Sequence, residues 1–376
     1  MPNLEERQFF KSDNMALKNL YFKNKASVLT VEQFWDLFLK RESDYYTKLK
    51  EDHKNAESIL KEILNEVHNY HSTINGLIGF SEDDKLELIF TADCLVKDFV
   101  FAKELVEKAP VLKNWKFHWL KPDSNNFEFT IAWADFRISK EKLWFYPNTD
   151  NSYPDEICIN LVYEDFTKEE NYDEILNGVL IFLDNSIGEL NMATKIDQWD
   201  LVFKDSIPSS IELIPIEKIN EYINWREKEF LQKYDKYSYP LVGEEGYSVL
   251  EAEYEDLPIS ALINRDWKDW PYKSVYSWCI KLELNFKGNE FGFPLKEQLI
   301  EIQNFEDEII KALLSLKLCH IGRTIYNNSS SIYFYSNEYL LVSKMIHEFL
   351  LNAEISLDIN YFISRDKYWR NVEEYF

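Results

Sequence analysis

Residues 318–363 read LCHIGRTIYNNSSSIYFYSNEYLLVSKMIHEFLLNAEISLDINYFI, and the changes of period within them decide the fold. Strand-like alternation runs from Leu318 to Tyr326, stops at a polar turn from Asn327 to Ser330, and resumes from Ser331 to Tyr335. A helical pattern from Tyr339 to Leu351 and a strand pattern from Ile355 to Ile363 follow. Upstream, a strand from Tyr276 to Phe286 precedes a helix from Leu295 to Leu316, which makes the order β-α-β-β-α-β. That order predicts a ferredoxin-like split βαβ unit, with two helices covering one face of an antiparallel sheet. Two further strands, Tyr247 to Tyr254 and Ser260 to Asn264, predict a β-hairpin leading into it.

Working outward, the N-terminal half alternates helix and strand patterns without the uniform apolar runs of a parallel sheet. Residues Met1 to Ala26 are polar and read as frayed or loosely docked. Thr30 opens a helix with a capping-box spacing to Gln33, along which Phe34, Trp35, Phe38, Leu39 and Tyr46 recur. A second helix from Asn55 to Tyr70 completes a helical hairpin. Strand patterns end at Thr91, and a helix from Leu95 is stopped by Ala109-Pro110. Strands are expected over Lys116 to Leu120, over Phe127 to Trp133 with a hairpin into Leu143 to Tyr146, and over Ile157 to Tyr163. A helix from Tyr172 to Glu189 and a strand near Trp199 to Phe203 close the series. The expected fold class is therefore α+β in two units: residues 1–204, an N-terminal sandwich built much like the C-terminal unit, and residues 247–376. A structured connector, 205–246, with a helix from Ile216 to Lys233, joins them.

Lys and Arg number 42 against 66 Asp and Glu, a net charge of −24 that repels phosphate backbones and anionic membranes. Nonspecific nucleic-acid binding and membrane association are excluded on that ground, and the surplus carboxylates also keep an aromatic-rich chain soluble. Cys94, Cys158, Cys279 and Cys319 stand far apart in apolar runs and read as free thiols of a reducing compartment. No stretch of about 18 apolar residues occurs, so a cytoplasmic location is expected.

The C-terminal unit resembles a bacterial family known as domain of unknown function 695. The residues that carry the resemblance are YSVLEAEYEDLPISALIN from Tyr247, CHIGRTIYNNSSSIYFYS from Cys319, and RDKYWRNVEEYF from Arg365, with Asp366-x-x-Trp369 followed by Tyr375 the most specific element. Residues 105–122, LVEKAPVLKNWKFHWLKP, are similar to a segment found upstream of such domains. The resemblance transfers no catalytic residue. In its acidic, ferredoxin-like build the family is distantly similar to a regulator that inhibits a bacterial ribonuclease, an analogy of fold and charge only.

No chemistry-bearing motif stands out. His68 and His71 are three apart on a helix but have no third ligand nearby in sequence. His118, His320 and His347 each stand alone, and no phosphate loop or nucleophile elbow is present. No catalytic residue, metal site or cofactor is expected. The best binding candidate is the loop Arg265, Trp267, Lys268, Trp270, Tyr272 and Lys273, which interleaves aromatic rings with cations between two strands. The competing reading folds those rings over the sheet with the cations lying across them. Arg323, with Asp366, Tyr368 and Trp369, is the second candidate, and Asp366 capping a terminal helix over a packed Trp369 is its structural alternative. The expected function is that of a non-enzymatic protein-binding or regulatory module, of inhibitor or immunity type, whose acidic surface steers a basic protein partner. The alternative is a hydrolase using carboxylates in a cleft between the two domains, as glycosidases do.

Overall fold

The computed structural model describes residues 29–81, 83–148, 152–234, 246–255 and 257–376. In chain order its elements begin with α1 (Val31–Leu39), α2 (Glu42–Glu51), α3 (Ala56–Tyr70), β1 (Asn75–Phe80), β2 (Leu86–Thr91), α4 (Phe99–Glu107) and β3 (Trp115–Trp119). Next come β4 (Ile131–Trp133), β5 (Phe136–Ile138), β6 (Leu143–Asn148), β7 (Cys158–Tyr163), α5 (Tyr172–Ile187), α6 (Glu189–Lys195), β8 (Gln198–Leu201), β9 (Ile214–Pro215) and α7 (Ile219–Tyr234). The C-terminal series is β10 (Tyr247–Tyr254), β11 (Leu257–Asn264), β12 (Trp278–Asn285), α8 (Lys296–Leu313), β13 (Cys319–Tyr326), β14 (Ser329–Ser336), α9 (Leu340–Asn352) and β15 (Asp358–Arg365).

The described chain separates into two compact units, one formed by residues 123–232 and the other by residues 29–122, 233–234 and 246–376. This division cuts the chain differently from the expected boundaries at 204 and 246. The N-terminal helices share a unit with the C-terminal sheet because α4 packs on α9: Phe101 meets the His347 ring at 4.6 Å, and Lys344 Nζ lies 3.2 Å from Glu104 Oε1. The expected connector contributes α7 to the 123–232 unit, while residues 1–26 and 235–245 lie outside the described residues.

In the 123–232 unit, β8-β7-β6-β9 form a four-stranded sheet in which β7 and β8 are parallel and the other pairs antiparallel. Strand β6 was expected to pair with the segment ending at Trp133. Instead β4 pairs with β5 across a two-residue turn at Ala134-Asp135, with Ala134 in the left-handed region at φ +48°. That tight turn consumes β4 locally and leaves β6 to β7. The expected single helix from Tyr172 ends at Ile187, because Gly188 takes φ +83° and starts α6 in a new direction.

In the other unit, Thr30 caps α1 as its spacing predicts: its Oγ1 accepts from Gln33 N at 3.3 Å, and Gln33 Oε1 accepts from Thr30 N at 2.8 Å. The helix breaks at Lys40-Arg41, which shifts the phase so that Tyr45, and not Tyr46, turns inward on α2. Phe34, Trp35 and Phe38 pack edge-on against Phe90 of β2 and Trp115 and Phe117 of β3. Strands β1 and β2 are antiparallel; β2 and β3, joined through α4, are parallel. The N-terminal half thus holds small mixed sheets, not the second sandwich of C-terminal type that was expected.

The C-terminal series builds one six-stranded sheet, ordered β10-β11-β13-β14-β12-β15 and antiparallel at every pair. Ile280, Leu282 and Leu284 of β12, Phe334 of β14 and Tyr361 of β15 share one face through their register. Helices α8 and α9 cover that face: Ser343 of α9 reaches the Tyr361 hydroxyl at 3.1 Å, and Glu306 of α8 reaches the sheet at His320. Cys279, Cys319, Tyr333 and Tyr335 point to the opposite face, where the loop after β11 and the chain's last residues cover them in a second core.

Candidate functional site

The loop singled out from sequence lies in that second core. Trp267 is 3% exposed and Trp270 7%, their rings meet edge-on at 4.9 Å, and both contact Trp369, which is fully buried. The two tryptophans therefore pack as core and are not presented to a partner. Tyr272 is half-buried against Trp270; Arg265 and Lys268 are exposed. Lys273 Nζ donates to the Lys268 carbonyl and lies over the Trp369 and Phe376 rings, and burial pulls its pKa below the ordinary value.

The Asp366-x-x-Trp369 element is what closes this core. Asp366 accepts from the Tyr335 hydroxyl at 2.6 Å and from the backbone N–H groups of Arg370 and Asn371 at 2.8 and 3.0 Å. Trp369 stacks on Tyr335 at 4.2 Å and donates its indole N–H to the carbonyls of Lys273 and Tyr276. The motif is a latch, the structural alternative given above.

Arg323 belongs elsewhere. It pairs in register with Ile332, which places it on the helix-covered face, opposite the tryptophan loop. There it completes a chain that sequence reading missed. Tyr247 of β10 contacts His320 Nδ1 through its hydroxyl at 2.7 Å, His320 Nε2 meets Glu306 Oε1 at 3.1 Å, and Arg323 donates to Glu306 Oε2. Glu306 is 4% exposed. Burial raises its pKa, but His320 and Arg323 lower it by more, so the carboxyl lies below its ordinary value and is ionised. An ionised Glu306 calls for a proton on His320 Nε2, and the Nδ1 side of the same ring meets the Tyr247 hydroxyl. The signal for Glu306 was present in the sequence: it sits among Ile302, Phe305, Ile309 and Leu313, the buried stripe of α8.

Beyond this chain the helix cover ends and a groove opens over the hairpin, with a volume of about 370 Å³. Val249, Leu262, Ile325 and Arg323 form its floor, and Leu299 and Gln303 of α8 with Phe293 and Pro294 form its wall. Apart from Arg323, whose charge Glu306 balances, every lining residue is neutral. Val249 is 66% exposed, and Tyr247 37%.

Residues 247–376 match the model of DUF695, a family of unknown function. Tyr247, Val249, Glu306, His320, Arg323 and the Asp366–Trp369 latch all fall inside the DUF695 segment. Neither a curated protein nor a solved structure matches the chain. Among the described residues there is no group of three metal-ligating side chains and no helix long and apolar enough to cross a membrane.

Proposed function

We propose that this protein is a non-enzymatic protein-binding module, regulatory or inhibitory in type, whose acidic field draws a basic partner to the groove of the DUF695 segment. The observation that carries the reading is the open floor at Val249, an apolar sheet face that no described residue covers, in a chain of net charge −24. The sheet order supports a ferredoxin-like unit: read from the β15 edge, the four strands of the β-α-β-β-α-β series lie as fourth, first, third and second, with the hairpin added beside the second. A cytoplasmic setting accords with the four free cysteines. The hydrolase reading has less behind it, because the buried carboxylates of Glu306 and Asp366 are engaged in hydrogen bonds within the chain.

A photo-crosslinking residue placed at Val249 in cells tests the reading, with the fully exposed Val111 as the control position. A discrete basic protein captured from 249 and not from 111, and lost at high salt, is the expected result. Equal capture from both positions, or none from 249, refutes it.

A further inference from the structure

Among the described residues, a width of the DUF695 sheet about one helix across is left open at the hairpin. Adjacent strands lie about 4.8 Å apart, and a packed helix with its side chains is about 10 Å across, so one helix covers roughly two strands. Among the described residues α9 and α8 lie side by side on the covered face, with α4 packed on α9 at the β15 side, and this helix layer stops short of the hairpin. The bare width is that of β10 and β11, where the groove lies.

We propose that a partner's amphipathic helix docks in this groove alongside α8, its apolar face on Val249, Leu262 and Ile325 and its flank basic. The proposal rests on the protein-binding reading above and names the occupant. Charge complementarity argues for the basic flank. Strand alternation puts Glu251 and Glu253 on the same face of β10 as Val249, and both are exposed, so the outer rim of the apolar floor is acidic. Asp307, one turn beyond Gln303, is exposed on the α8 side. Arg323 does not oppose a cation, because Glu306 of α8 neutralises it. Length is consistent as well: the eight residues of β10 extend about 27 Å, the length of a helix of about 18 residues. An extended strand would instead use the outer edge of β10 and leave the floor bare.

The test uses the full chain and a labelled Leu/Lys peptide of about 18 residues designed as an amphipathic helix. A scramble of the same composition is the control. Binding is read by fluorescence anisotropy and helix formation by circular dichroism. The designed helix is expected to bind at least about tenfold tighter than the scramble and to gain helicity on binding. Val249→Ser should weaken it about fivefold through lost apolar contact, and the pair Glu251→Lys and Glu253→Lys at least about tenfold, with loss of the salt dependence. Equal binding of helix and scramble that still responds to the charge reversal overturns the helical occupant and leaves the basic-partner reading standing. Binding that ignores both sets of substitutions, or binding without helix formation, also overturns the proposal. Absence of binding by either peptide overturns it together with the reading on which it rests.

Discussion

Truncating Trp369 to Ala removes the keystone of the core on the loop-covered face, and the loss can be worked from its contacts. The side chain is fully buried, and burial of that kind costs about 3–5 kcal/mol when Trp becomes Ala. The stacking on Tyr335 at 4.2 Å adds about 1 kcal/mol beyond area, and the Lys273 and Tyr276 carbonyls lose the indole donor. A loss of about 4 kcal/mol or more is expected, a large part of the stability of an ordinary domain. The backbone supplies an internal check. Trp369 sits at φ +59°, where a residue with a Cβ is strained by about 1 kcal/mol and glycine is not. Trp369→Gly should therefore come out no worse than Trp369→Ala within about 1 kcal/mol, although it deletes more atoms. Urea unfolding of both variants, followed by far-ultraviolet circular dichroism, reads the two quantities. An unchanged midpoint for Trp369→Ala would refute the latch.

Glu306→Gln should cost about 3 kcal/mol in the same urea assay, because it leaves the largely buried Arg323 without its counter-ion; an exposed pair would cost under about 1 kcal/mol, and a loss that small would refute the burial argument. A second buried cluster sets an acid limit: His71 stacks on Phe101, touches Asp98 at 3.8 Å and lies 5.2 Å from His347, with Lys97 and Thr73 beside it. Burial holds the His71 pKa down at about 3 and that of His347 at about 4, so the unfolded chain takes up protons below its ordinary value while the folded chain does not. Stability from these groups is complete above about pH 6.5 and is lost as the pH falls toward 4 and then 3; His71 alone accounts for about 2 kcal/mol at pH 5, partly offset by Asp98, whose raised pKa acts in the opposite sense. His71→Asn should flatten the slope of unfolding free energy between pH 7 and 5, and an identical slope would refute the assignment. Thiol titration in denaturant without reductant should find four free groups, with Cys279 and Cys319 slow in the native protein; burial raises both pKa values, and the two residues flank Tyr335 on strands about 10 Å apart, beyond the reach of a disulfide.

The DUF695 segment was legible because its signals are local and agree with one another. Asn327 and Asn328 both take positive φ in a two-residue turn between Tyr326 and Ser329, a conformation that Asn tolerates and a hairpin requires. The Ala134-Asp135 turn has the same role without Gly or Asn, and for that reason the pairing of β6 was misread. The grouping of the halves was not legible, since it rests on contacts such as Phe101 with His347 that no local pattern announces. Trp267 and Trp270 have the composition of interface anchors and of core rings alike. What decides between them is Trp369, about a hundred residues further on. Tyr247, His320 and Glu306 meet only because register sets His320 opposite Phe334, on the face that α8 covers.

The position of the Glu306 chain explains why the groove keeps its shape. Beneath α8 and α9 the sheet face is apolar, at Ile332, Phe334 and Ile280, and that surface would be equally content under a helix shifted toward the hairpin. Hydrophobic packing is non-directional and fixes such a shift weakly. The bonds from Glu306 to His320 and Arg323 are directional, and a one-residue slip would leave a buried carboxylate facing carbon. The desolvation of the pair is costly, and apolar residues of the same volume would give a core of equal or greater stability. What those residues would not give is a fixed edge to the helix layer. On this argument the chain from Tyr247 to Arg323 sets where α8 ends its cover and the open floor begins, so the width left over β10 and β11 is a defined one.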